Sequence, residues 1–177
     1  MTRLPELGPV GIWSPELRFG DPAETADAAA ELGELGFGAL WIPDIGGPVL
    51  ESVEHLLLAT TRVTVATGIL NVWMHEAVDV AHGQERLERD FPGRFLLGLG
   101  ISHAPIVDAE QPGRYRRPLA TMREYLDALD DIRLLQDFIV ERARSSGAPV
   151  VENASIELSI GTVMELVLSE AERFAKV

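Results

Sequence analysis

Short apolar runs and amphipathic stretches take turns along the chain, and their order predicts strand, helix, strand, helix. Residues 10–14 are an apolar run ending on a serine, which predicts a first strand. Asp21 followed by Pro22 then marks a helix start, with the aspartate at the N-cap and the proline at the first helical position. Ala26, Ala29, Ala30, Leu32 and Leu35 keep much of this helix small and apolar. Gly33 lets a neighbour come close, and Gly36 is its C-terminal stop. Residues 39–43 predict a second strand, followed by Asp44 and a Gly-Gly loop. Residues 50–60 predict a helix with Val53, Leu56, Leu57 and Leu58 apolar. β-branched residues from Val63 onward to Val72 predict a third strand, 76–91 a third helix and 95–101 a fourth strand.

Strands that are apolar throughout, alternating with helices, are what a parallel sheet covered on both faces requires, so the fold class is α/β. Beyond the fourth strand the texture changes. Residues 105–118, rich in Pro, Gly and Arg, predict a loop, and a helix starts near Leu119 and runs at least to Leu129. Residues 132–144 are a further helix or its continuation, and 148–151 a short fifth strand. Ile156, Ile160, Val163, Met164, Val167, Leu168 and Ala171 fall at helical spacing and define a last amphipathic helix. The organisation is therefore a strand-helix part over 1–131 and a helical and α/β extension over 132–177.

With 177 residues, 46% hydrophobic and 24% charged, the composition is that of a soluble globular domain able to bury a core. The net charge of -13 repels phosphate backbones and anionic lipid, which argues against nucleic-acid and membrane-surface partners. An anionic cofactor stays open to it, because local arginines and helix N-termini override a global field. The absence of cysteine excludes disulfides, thiolate metal sites and cysteine nucleophiles. Neither a signal-type N-terminus nor a bilayer-length apolar run is visible, so the expected compartment is the cytoplasm.

Parallel α/β folds bind ligands at the carboxyl ends of their strands. That rule selects Trp13 and Ser14, then Asp44, then Asn71 with Trp73 and His75, then Ser102 with His103. Aromatic walls with a few hydrogen-bonding groups suit a flat heteroaromatic cofactor, although Trp13 and Trp73 would serve equally as plugs of the mouth. His103, directly after a strand, is the candidate functional histidine. His75 weighs toward a residue at the start of its helix, and His55 and His82 toward packing or surface. Gly98 and Gly100 make no phosphate fingerprint, and close backbone packing explains them better. His75, His103 and Asp44 would suit zinc or iron chemically, but no H-x-H or H-E-x-x-H pair supports a metal, and none is expected. No G-x-S-x-G elbow and no P-loop is present.

Asp90-Phe-Pro-Gly-Arg-Phe-Leu-Leu-Gly-Leu-Gly-Ile-Ser-His103 resembles the Gly-Arg-Phe-x-Leu-Gly-Leu-Gly segment of the luciferase-like monooxygenase superfamily. Ser102-His-Ala-Pro105, Tyr115-Arg-Arg-Pro118 and Met122-Arg-Glu-Tyr-Leu-Asp127 resemble its branch that uses the deazaflavin coenzyme F-420. Gly36-Phe-Gly-Ala-Leu-Trp-Ile-Pro-Asp44 and Ala66-Thr-Gly-Ile-Leu70 match that branch in order and spacing, so the resemblance spans about 8–131. It implies a (β/α)8 TIM-type barrel whose members transfer hydride between the reduced deazaflavin and an organic substrate. Asp44, Asn71, Ser102 and His103 would face cofactor or substrate, Trp13 and Trp73 would wall the ring, and His103 is the candidate proton donor. Some relatives carry a histidine after the strand-two aspartate, where this chain has Ile45. A whole barrel takes about 250 residues, so the expectation here is a partial, half barrel. Its free sheet edges predict self-association. FMN is the alternative cofactor, and a noncatalytic half-barrel remnant or fusion product the alternative function. Residues 132–177 depart from the family and resemble the tail of a small-molecule kinase of the 2-phosphoglycerate kinase sort, without its Walker loop.

Overall fold

A computed structural model describes residues 5–145, 161–162, 164–165 and 167–169. The chain divides into two compact units, Met1–Ile132 and Arg133–Val177.

In the first unit β1 (Gly11–Trp13) leads through the short α1 (Glu16–Phe19) into α2 (Pro22–Glu34), then β2 (Ala39–Ile42) and α3 (Val49–Ala59). The third strand position is β3 (Thr64–Thr67) with β4 (Leu70–Asn71), followed by α4 (Ala77–Asp90). The fourth is β5 (Phe95–Leu96) with β6 (Leu99–Gly100), followed by α5 (Ala104–Glu110) and α6 (Pro118–Ser145), of which the residues from Arg133 on belong to the second unit. All pairings are parallel, in the orders β1-β2-β3-β5 and β4-β6. Two expectations change. The third and fourth strands are each broken in two, and the stretch expected to be loop contains α5, which starts with Pro105 in its first turn. The helix from Pro118 runs unbroken past 129–132.

Helix α2 begins as its sequence dictates. The Asp21 carboxylate accepts from the backbone N–H groups of Ala23 and Glu24 at 2.9 and 3.3 Å. At its other end Gly36 takes φ 95°, and the Phe37 N–H reaches back to the Leu32 carbonyl at 3.1 Å. Asp21→Ala is therefore expected to cost about 1 kcal/mol in urea denaturation. An unchanged midpoint would mean that water serves those two N–H groups equally well.

The strand registers sort the sheet's two faces. Ile12, Leu40, Val65 and Phe95 are aligned across it, as are Trp13, Trp41, Ala66 and Leu96. The first row, with Ile42, packs against Val53, Leu56 and Leu57 of α3 and Leu87 of α4 in the hydrophobic core. Each such fully buried aliphatic side chain contributes about 1.5–3 kcal/mol. The second row lies on the inner face, where Trp41 is half-buried and Trp13 is 55% exposed. Arg94 of the Gly-Arg-Phe motif is structural. Its guanidinium donates to the Val63 carbonyl and the Thr60 hydroxyl, tying β5 to the turn that follows α3.

In the second unit, 161–162, 164–165 and 167–169 are helical, with Met164, Val167 and Leu168 exposed. The strand expected at 148–151, and Ile156, Ile160, Val163 and Ala171 of the expected last helix, lie outside the described residues. No helix among the described residues is long and apolar enough to cross a membrane.

Candidate active site

The strand tips meet through hydrogen bonds. Asp44 follows β2 by two residues and continues the helix-facing row of Leu40 and Ile42, so its carboxylate turns to the helix-covered side and is wholly buried. Oδ2 accepts the Asn71 backbone N–H at 2.9 Å and faces His75 Nε2 at 2.8 Å. Oδ1 accepts the Gly46 N–H at 3.1 Å and lies 3.7 Å from the Arg18 guanidinium. Burial raises the Asp44 carboxyl's pKa. The hydrogen bonds from His75, Asn71 and Gly46, with the His75 charge, together outweigh burial and hold it below the ordinary carboxylate range. Burial draws Arg18 below its usual value, with Asp44 and Glu51 pulling the other way.

From Asn71 the network continues outward. The Asn71 side chain is fully buried, and its Oδ1 accepts the Trp73 N–H at 3.2 Å. Among the described residues its Nδ2 has no hydrogen-bond partner. The Trp73 indole donates to the Ile101 carbonyl at 2.8 Å, joining the tip of β4 to that of β6, and Trp73 packs against Tyr115 with ring centroids 5.6 Å apart. The Tyr115 hydroxyl reaches the Ser102 carbonyl at 3.4 Å. Ser102 has a positive φ of 57°, and the exposed His103 is the N-cap residue of α5. Trp13 stands on the inner face, its indole donating to the Gly68 carbonyl at 2.7 Å.

Asp44, Asn71, Trp73 and Ser102 thus belong to one chain of contacts, Trp13 to the inner face, and His103 to the rim. Two participants, Arg18 and Trp41, were not selected from sequence, and a third, His75, was selected at a strand tip but discounted. Arg18 sits on a four-residue helix with no periodicity to reveal it. Trp41 was hidden in a strand, although alternation about Leu40 and Ile42 points it inward. His75 was weighed toward a mere helix start, and only the fold brings it to Asp44. Among the described residues no group of three or more His, Cys, Asp or Glu side chains could hold a metal ion.

Comparison with known proteins matches residues 8–138 to the luciferase-like monooxygenase family. A Mycobacterium tuberculosis protein named as a coenzyme F420-dependent oxidoreductase is 24% identical over 124 residues, which are 70% of this chain and 35% of that protein. A 2-phosphoglycerate kinase of Thermococcus kodakarensis is 34% identical over 78 residues, 44% of this chain and 27% of the kinase. The chain therefore spans about a third or less of the curated relatives it matches. Among solved structures, an F420-dependent secondary alcohol dehydrogenase in complex with an F420-acetone adduct superposes with a TM-score of 0.59 at 19% identity, over 73% of this chain and 42% of that one. The oxygenating constituent of the 3,6-diketocamphane monooxygenase of Pseudomonas putida, in complex with FMN, gives 0.59 at 15% identity, over 71% and 39%. The arc of parallel strands is thus a partial TIM-type barrel, and the chain belongs to the luciferase-like monooxygenase family.

Proposed function

We propose that this chain carries the ring-binding part of an oxidoreductase that transfers hydride between the reduced deazaflavin coenzyme F-420 and a small organic substrate. The observation that carries the reading is the network joining the tips of β2, β4 and β6, which ends on an unmet donor, Asn71 Nδ2. A buried amide donor without an acceptor is costly, and a ring carbonyl would meet it. A flat ring also needs an apolar wall, and Trp13 with Trp41 supplies one on the inner face. The residues present therefore fit the group.

When bound, the coenzyme supplies the hydride. The chain's own residues divide the remaining work. Trp13 and Trp41 exclude water from one side, and Asn71 orients an acceptor atom. Both Asp44 oxygens already accept from groups of the chain, so it acts by holding the Asn71 backbone and His75. His103, exposed at the rim, gives a proton to substrate. FMN in place of the deazaflavin is the second reading, favoured by the likeness to the FMN-bound monooxygenase.

Titration with oxidised and reduced F-420, beside FMN and NADPH, tests the proposal. Saturable deazaflavin binding is expected, weakened about tenfold by Trp13→Ala. His103→Ala is expected to lower turnover about 100-fold while leaving that binding intact. Tighter FMN binding would move the reading to FMN. No binding of any of the three would make the chain a noncatalytic partial barrel.

A further inference from the structure

The first half of α6 gives its apolar side to the core, and the second half places its large apolar residues elsewhere. Met122, Tyr125, Leu129 and Ile132 belong to the core packing, three or four residues apart. Helical spacing carries that row on to Val140 and Ala143, both half-buried. Leu134, Leu135, Phe138 and Ile139 instead lie about a third of a turn away around the helix axis. They are 68, 59, 57 and 55% exposed, a contiguous apolar stripe along one helix.

Opposite charges bracket the stripe symmetrically. Asp131 precedes Leu134 and Leu135 by three and four residues, and Arg142 follows Ile139 and Phe138 by three and four. Both are exposed. Neither has an opposite charge three or four positions away in the sequence, where a helix would pair it within itself. An acid, four apolar residues and a base in this spacing match a second helix of the same sequence laid antiparallel. Leu134 then meets Ile139 of the other copy, Leu135 meets Phe138, and each Asp131 meets an Arg142. A parallel pair in register would set Asp131 on Asp131 and Arg142 on Arg142, which repel.

We propose that this stripe of α6 is a self-association surface that takes a second copy of the chain, antiparallel, about a two-fold axis crossing the helix between Leu135 and Phe138. Such an axis lets one patch serve as both halves of the contact. Eight apolar side chains and two ion pairs make a contact below about 1,200 Å², which implies reversible association rather than a permanent dimer. It needs no pairing between sheet edges.

The test is sedimentation velocity of the full chain, without coenzyme, from about 1 to about 300 µM. A monomer–dimer equilibrium is expected, with a Kd on the order of 10 µM. Asp131→Arg and Arg142→Asp each set two like-charge contacts in the symmetric dimer and should weaken it about tenfold. Combining them restores both pairs with their signs exchanged, so the double variant should dimerise within about threefold of the wild type. Replacing Leu135 and Phe138 together by Gln should leave a monomer throughout. A wild-type monomer at every concentration, as cover by the chain's own residues would give, overturns the proposal. So does a dimer indifferent to both single charge variants, the result that sheet-edge pairing would give, and so does weakening without rescue in the double variant. The coenzyme titration fails or succeeds independently of these outcomes.

Discussion

Replacing Asp44 with alanine is expected to lower stability by about 3–5 kcal/mol, because it strips the partner from a buried cation and two backbone donors at once. The Arg18 guanidinium is almost wholly buried, its side chain 2% exposed, and it bonds otherwise only to neutral groups, the Ser52 hydroxyl and the Gly46 carbonyl. Without the carboxylate only the more distant, exposed Glu51 opposes its charge among the described residues. The Asn71 and Gly46 N–H groups lose their acceptor in the same step. Asp44→Asn keeps the shape and one acceptor oxygen and should cost less, about 1–3 kcal/mol. The pH dependence has a definite sign. The folded carboxyl's pKa is depressed, so its stabilising contribution is fully present above the ordinary carboxylate value. It is lost as pH falls through the lower, folded value. The gap between the wild-type chain and Asp44→Asn should stay level near neutral pH and shrink on acidification. Urea denaturation across a pH series measures this, and a gap that stays constant into strong acid would refute the linkage.

The same residue shows how far the sequence could be read. Four strand positions, their helices and the Asp21 cap follow from periodicity and capping chemistry, because each is decided within a few residues. Asp44 was legible as a strand-tip residue, but its direction was not. Only the alignment of Leu40 with Val65, and of Trp41 with Ala66, sorts the two faces. Once they are sorted, Asp44 falls among the core residues and Trp41 falls on the inner face. The pairing with His75 spans 31 residues and that with Arg18 spans 26, separations that no local pattern encodes. The breaks in the third and fourth strands were also beyond local reading. Residues 63–72 and 95–101 read as continuous apolar runs, yet the pairing changes partway along both.

Gly98 is where that change is anchored, and Gly98→Ala is expected to destabilise the chain by about 3 kcal/mol. A Cβ at this position would overlap the Thr67 carbonyl oxygen, a backbone atom that no rotamer change can move aside. The closeness has a purpose visible in the hydrogen bonds. The Thr67 hydroxyl donates to the Gly98 carbonyl at 2.8 Å and accepts the Gly98 N–H at 2.9 Å, substituting for the strand ladder. The Leu70 N–H then takes up the same carbonyl at 2.7 Å, and β4-β6 pairing begins one residue beyond. Thr67→Val separates the two contributions. It keeps the space but leaves the Gly98 N–H without its acceptor, and should cost about 1–3 kcal/mol. The effect should also reach the ligand. Pushing Gly98 from Thr67 displaces β6, whose end leads to the Ile101 carbonyl that fixes the Trp73 indole, and Trp73 in turn holds Asn71. Coenzyme affinity in Gly98→Ala, measured where the folded form still dominates, should therefore fall further than in Thr67→Val. Equal affinities in the two variants would mean that the strand break and the strand tips are mechanically independent.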